Sequence, residues 1–213
     1  MTDARTEILH RIRGALHDTP AAPEVERTYR RASARAAGEV VEMLEDRLVD
    51  YKAAVHHETA ASLPGRIAAL LGDGARYVVP SGLDRSWLPE DTAARSAIVD
   101  SADPRTAPAL GVRELNAVEA VVTSSTVSCA ETGTIFLTGR PDEGRRAISL
   151  VPDHHICVVP VDSVVELIPE ALARVTPTAP TTMISGPSAT SDIELERVEG
   201  VHGPRRLDVV LLR

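Results

Sequence analysis

Glu131 stands before Thr132-Gly133-Thr134, between two apolar runs, and is the acid of this 213-residue chain best placed for chemistry. A carboxyl group withdrawn from water has a raised pKa and can serve as general acid, general base or nucleophile. The same residue could equally accept backbone N–H bonds and hold its loop. His154-His155 follow Pro152-Asp153 into a strand, where alternation sends one imidazole to the core and the other to the opposite face. His202 lies in the turn Gly200-Val201-His202-Gly203-Pro204. Together with Asp192 and Glu194, His155 and His202 would form an acid–base or metal cluster if the fold brought them together; kept apart, each is a structural residue. Three loops could hold a small anion: Ser81-Gly82, Thr123-Ser124-Ser125-Thr126 leading on to Glu131–Thr134, and Ser185-Gly186-Pro187-Ser188-Ala189-Thr190-Ser191-Asp192. Glycine allows close backbone approach, and hydroxyls donate to a carboxylate or phosphate. Plain turns use the same residues.

Composition narrows the chemistry. Of 23 basic residues, 22 are arginine and only Lys52 is lysine. A phosphate-loop nucleotide site needs G-x-x-x-x-G-K-[ST] and a Schiff base needs a desolvated lysine; Lys52, on a charged helical face, supplies neither. There is no G-x-G-x-x-G and no G-x-S-x-G. The net charge of −8 and the five aromatic residues argue against a nucleic-acid surface. Cys129 and Cys157 form no Cys-x-x-Cys pair, so the chain offers no self-contained zinc or iron–sulfur site, and both read as buried packing residues. No segment reaches the roughly 18 apolar residues of a membrane span. The opening MTDARTEILHRIRGAL lacks the apolar core of a secretory signal, so a cytoplasmic location is expected.

The elements that must position these residues are legible as patterns. Ile8, Ile12 and Leu16 make one stripe of a helix over 5–17, followed by a proline-containing linker at 19–23. We therefore divide the chain into a helical extension with its linker, 1–23, and one α/β domain, 24–213. The isolated stripe suggests a homodimer contact. A longer helix is predicted over 36–57, with Val40, Leu44, Leu48, Tyr51 and Val55 inward. A third, over 63–71, is opened by Ser62 and Pro64 and closed by Gly72. Strands are expected at 76–80, 97–100, 117–123, 134–137, 156–159, 183–185 and 207–212, and a helix capped by Asp162 at 162–174, with Val164, Val165, Ile168 and Leu172 inward. Helices alternating with short apolar strands predict an α/β fold, a mixed sheet covered on both faces. The strands within 117–138 have no helix between them, so part of the pairing should be antiparallel. Ligands in such sheets bind beyond the carboxyl ends of the strands.

Glu131-Thr132-Gly133-Thr134, Ser149-Leu150-Val151-Pro152-Asp153-His154-His155-Ile156, Gly186-Pro187-Ser188 through Thr190, Asp192-Ile193-Glu194 and Gly200-Val201-His202-Gly203-Pro204 occur in that order. This series resembles the LUD-domain family, over nearly the whole chain but most specifically over 130–213. The resemblance implies a fold like that of the sugar-phosphate isomerases and CoA-transferases. It also implies a part in the bacterial oxidation of L-lactate to pyruvate, beside two companion lactate-utilization proteins that carry the iron–sulfur clusters. This chain would then be a component without a redox centre or cofactor of its own. It would bind a small carboxylate or organise its partners, with Thr132, Gly133, Thr134, Gly186, Pro187, Ser188, Thr190, Asp192, Glu194, His202 and Gly203 lining the site. The family tends to place a basic residue where this chain has Ala189; if that side chain pairs with a substrate carboxylate, Ala189 either removes the contact or hands it to another arginine. Fold analogy alone offers two other readings: a stand-alone isomerase or acyl/CoA-transferase with Glu131 as its carboxylate, and a metal-dependent hydrolase using His155, His202 and Asp192.

Overall fold

The computed structural model describes residues 3–17, 24–101, 103, 109–187, 189–190, 198–199 and 203–213. Helix α1 (Ala4–Ala15) forms as its stripe predicts, with the Asp3 carboxylate accepting from the N–H of Arg5, yet it buries no residue. Ile8 is 57% and Ile12 49% exposed. The expected linker at 19–23 lies outside the described residues.

Helix α2 (Ala37–Asp50) buries Val40, Leu44 and Leu48, but it stops seven residues short of the predicted 57. The N–H of Ala53 donates to the carbonyl of Leu48 and that of Lys52 to Val49, both at 2.9 Å, which closes the helix with Lys52 in the left-handed region at φ 70°. Residues 54–58 then become strand β1 (Ala54–Glu58), and Val55 belongs to a strand instead of the helix face. The cause is non-local: β1 pairs in parallel with residues 208–212. A lysine held left-handed is strained where glycine is not. Lys52→Gly is therefore expected to raise unfolding free energy by about 0.5–1 kcal/mol in urea titration, against a loss if the turn were relaxed.

The remaining elements follow in chain order. They are α3 (Leu63–Leu71), β2 (Arg76–Pro80), β3 (Ser96–Asp100), α4 (Val112–Leu115), β4 (Ala120–Thr123), β5 (Val127–Cys129), β6 (Thr134–Leu137), α5 (Arg146–Leu150), β7 (His154–Pro160), β8 (Val164–Val165), α6 (Ile168–Ala173), β9 (Thr182–Ile184), β10 (Ala189–Thr190), β11 (Val198–Glu199) and β12 (Arg206–Leu212). The predicted helix over 162–174 is thus divided. Val164-Val165 add a parallel strand to Ser128-Cys129, and the helix starts only at Ile168. Pro169 explains that start, because proline is tolerated in the first turn and not in a helix interior. Asp162 is not the cap, and Leu172 faces solvent.

Six strands form a parallel sheet in the order β1-β12-β7-β4-β2-β3. The antiparallel pairing expected within 117–138 exists between β5 and β6, but in a second sheet, β8-β5-β6-β9. Both edges of β4 are already taken by β2 and β7, so the chain that follows it must pair elsewhere. The fold is α/β, a parallel-dominated sheet flanked by helices. On one face α2 packs Leu44 and Leu48 on Cys157, Val159, Val209 and Leu211, and Leu115 and Ile148 cover Val78 and Val121. On the other, Leu63 and Ile67 of α3 cover Tyr77, Val79, Val122, Ile156, Val158 and Val210. Both faces being apolar, the strands read as unbroken hydrophobic runs.

Candidate functional site

The strand order dictates where a crevice should open. From β2 the chain crosses to β3, while from β4 it returns towards β7, so the two connections part at the carboxyl ends of the adjacent strands β2 and β4. In this chain residues 140–144 fill that place. The N–H of Gly82 donates to the carbonyl of Pro141 at 2.9 Å, and the N–H of Ser124 to that of Asp142 at 3.0 Å. Glu143, buried, locks the plug by accepting from the N–H groups of Thr138 (2.6 Å) and Arg140 (3.1 Å). The Ser81-Gly82 loop meets protein, and the Thr123–Thr126 hydroxyls are largely engaged: Ser125 Oγ donates to the carbonyl of Val158, and Thr126 bonds Thr138 and Glu143.

The open cavity lies instead at the amino ends of β7 and β12. It encloses about 280 Å³ and is walled by three elements: α5 with Arg146 and Ser149, the chain from Thr182 to Pro187, and the strand starts carrying His155 and Leu207 beside Gly203-Pro204. Of the residues singled out from sequence, His155, Gly186, Pro187 and Gly203 meet here. Thr134 stands just behind, with its Oγ1 2.9 Å from Ser185 Oγ and 2.8 Å from Thr132 Oγ1. A second hollow of about 340 Å³ continues the first and shares Arg146, Ser149 and Thr182 with it.

Gly133 and Gly186 also have a structural task in the backbone. Their φ angles are +60° and +88°, and a Cβ would come within 2.8 Å of Arg47 Cβ and 2.6 Å of Tyr51 Cβ respectively. They let the loops that frame the site lie flat on α2, which fixes the cavity wall to the core.

His155 is buried with its Nε2 2.8 Å from Thr123 Oγ1. Burial, then the neighbouring charge of His154, lowers its pKa to about 3, so the ring is neutral at physiological pH. Burial likewise pushes the Cys157 thiol up to about 12. The histidine couples stability to pH. Unfolded, it takes up a proton below about pH 6.5, while folded it resists down to about 3. Its stabilising contribution is complete above pH 6.5 and is lost at about 1.4 kcal/mol per unit as pH falls through that window. In urea titrations from pH 7 to pH 4, wild type should lose stability more steeply than His155→Gln by about that slope; parallel profiles would refute the assignment.

Glu131 does not enter the cavity lining. Its side chain is 44% exposed and ion-paired with Arg30, so the buried, unpaired acid that the isomerase or transferase reading needs is not what stands at this position. Neighbouring Glu166 is held below the usual carboxylate range by Ser33, against its own burial, with help from Arg35 and Arg30. These contacts strap residues 30–36 onto the small sheet. Ser188, Asp192, Glu194 and His202 lie outside the described residues, as does the side chain of Thr190. Among the described residues no group of three His, Cys, Asp or Glu is arranged to hold a metal ion, and no helix is long and apolar enough to cross a membrane.

Two features escaped the sequence reading. Arg146 is exposed on the cavity wall and makes no ion pair among the described residues, whereas its neighbour Arg145 is bound twice to Asp100 at 2.8 Å. Asp208, fully buried behind the cavity on the opposite face of the sheet, gathers His56 Nε2 and His154 Nε2, each at 2.7 Å, and the Nε of Arg206, also at 2.7 Å. Burial alone would raise its pKa; the three donors overcome that and hold the carboxyl well below the usual carboxylate range. The cluster pins the starts of β7 and β12, where His155 and Leu207 face the cavity.

Comparison with known proteins identifies relatives of the whole chain. The LUD-domain profile matches residues 94–212. A lactate utilization protein C from Deinococcus radiodurans is 42% identical over 99% of this chain and 96% of its own length. A lactate utilization protein C from Geobacillus thermodenitrificans is 29% identical, covering 76% of this chain and 72% of that protein. A crystal structure of a DUF162 family protein from Deinococcus radiodurans superposes with a TM-score of 0.69 at 38% identity, covering 84% of this chain and 99% of that one.

Proposed function

Because the chain belongs to the LUD-domain family, we propose that it serves lactate utilization as a component that binds a small carboxylate, L-lactate or pyruvate, in the cavity at the amino ends of β7 and β12. One observation carries this reading: an arginine with no ionic partner among the described residues stands on the wall of a cavity of about 280 Å³ with a neutral histidine at its inner side. A guanidinium offers a fork of two parallel N–H donors that matches a carboxylate. The hydroxyl-bearing residues Ser149, Thr182 and Ser185 and the ring of His155 surround the space that a 2-hydroxyl or 2-oxo group would occupy. The cavity suits a ligand of a few heavy atoms, at the small end of ligand sites. Arg146 takes the role that Ala189 cannot fill.

The chain works without a redox centre of its own, and electron transfer belongs to iron–sulfur partner proteins. What supports this is its donor set: an iron–sulfur cluster takes up to four thiolates, and the two cysteines here are both fully buried in apolar packing. The relatives called lactate utilization protein C support the pathway. The test is recovery of the tagged chain from cells grown on L-lactate, paired with deletion of its gene. Retention of iron–sulfur proteins and loss of growth on L-lactate are expected. Normal growth with no such partner retained would overturn the proposal.

A further inference from the structure

Helix α1 carries an apolar stripe that its own chain leaves open, and elsewhere the fold carries a groove of matching character. Ile8, Leu9 and Ile12 lie on one side of α1, all exposed, while Arg11 and Arg13 flank them. Arg11 is held by Glu7 at 2.9 Å, and Arg13 has no ionic partner among the described residues. The groove, of about 480 Å³, runs between α2 and the turn after β7; Ala37, Val41 and Val161 line it with apolar surface, and its charged lining is three carboxylates, Glu42, Glu45 and Asp162, against one arginine, Arg213, with His57 beside Glu45. Glu45 is met by His57 at 2.9 Å, but Glu42 and Asp162 have no ion pair among the described residues. An apolar stripe edged by arginines is thus matched in charge by an apolar floor whose edge carries more carboxylates than cations.

A helix of 12 residues is marginal in water when nothing covers it, so α1 needs a partner surface. We propose that this surface is the α2 groove of a second copy: two chains exchange α1 helices about a two-fold axis, each stripe seated in the other's groove. Every chain then supplies one arm and one groove, which closes the assembly at two. Arg13 faces Glu42 or Asp162 across the contact, and the pairing sets register and orientation. The strap that Arg30, Ser33 and Arg35 fasten to Glu131 and Glu166 lies carboxyl-terminal to α1 and holds the chain to the domain on that side of the arm.

Sedimentation equilibrium on the full chain should give a dimer, and Ile8→Glu with Ile12→Glu should give a monomer that still unfolds in one cooperative transition, with a midpoint that no longer depends on protein concentration. Arg13→Glu should weaken dimerisation by roughly tenfold, with Glu42→Arg in the same chain restoring it. Which copy supplies the arm is read by cross-linking, because Cys129 and Cys157 are buried and give no background. An oxidised mixture of an Ile12→Cys chain and a Val41→Cys chain should run as a linked pair on a non-reducing gel. A monomeric wild type, a dimer indifferent to the Ile8 and Ile12 changes, or a mixture that gives no linked pair would each overturn the proposal. So would an internal link formed within a chain carrying both cysteines, in the absence of linked pairs, because α1 would then cover its own groove.

Discussion

Replacing Arg146 with alanine is expected to weaken binding of L-lactate or pyruvate by roughly 30- to 150-fold in calorimetric titration while leaving the thermal midpoint within about 2 °C of wild type. The size follows from the bond removed. A bidentate, charge-assisted contact contributes about 2–3 kcal/mol when its donor is lost. The indifference of the fold follows from the surroundings, since Arg146 is exposed and makes no ion pair among the described residues. Arg146→Lys keeps the charge but not the fork, so it should fall between the two. Arg113→Ala, at an exposed arginine that does not line the cavity, is the control and should change nothing. Equal affinities for wild type and Arg146→Ala would remove Arg146 as the anchor.

Asp208→Ala is expected to be the most destabilising single change near the site, costing about 3 kcal/mol and lowering the thermal midpoint by roughly 6–12 °C. Its carboxylate is fully buried and accepts from three side chains on three strands, so removing it leaves three donors facing an apolar gap. The penalty has a pH signature. The folded pKa lies below the unfolded value of about 3.9, so the carboxylate stabilises the fold fully above that value and loses its effect as pH falls through the folded pKa. Wild type and variant should therefore differ most near neutrality and converge in strong acid. A deficit constant down to the lowest pH at which the protein folds would show that packing, and not the ionised carboxylate, sets the cost.

Much of the architecture could be read from the residues where local and global preferences agree. Residues 76–80 form the predicted strand because Tyr77, Val78 and Val79 are β-prone and also buried on both faces. Helix α3 keeps its predicted bounds because Pro64 and Gly72 mark its ends. The sequence misled where a distant partner decided the outcome. Val55 continues the spacing of Leu44, Leu48 and Tyr51, and only pairing of residues 54–58 with 208–212 turns it into strand. At 162–174 the warning was present, since Pro169 belongs to a first turn, but Val164-Val165 find their strand partner some 36 residues earlier.

The site was legible in part for a similar reason. His155, Gly186, Pro187 and Gly203 stand in unusual local contexts and do meet at one cavity. Arg146 is one of 22 arginines, and nothing local separates it from Arg145. Only in three dimensions does Asp100 engage one and leave the other without an ion pair among the described residues. His56, His154 and Asp208 span most of the chain, so their convergence is a property of strand order, β1 beside β12 beside β7. Glu131 shows the converse: flanking apolar runs suggested burial, yet the side chain turns outward to Arg30.

The central claim is that a small carboxylate sits between Arg146 and His155. It is tested most directly by following the ring resonances of His155 by NMR while L-lactate is titrated into the wild-type protein. The account predicts a saturable shift of those resonances that is absent in Arg146→Ala. Saturable binding that leaves His155 unmoved, or the same shift in the variant, would contradict it.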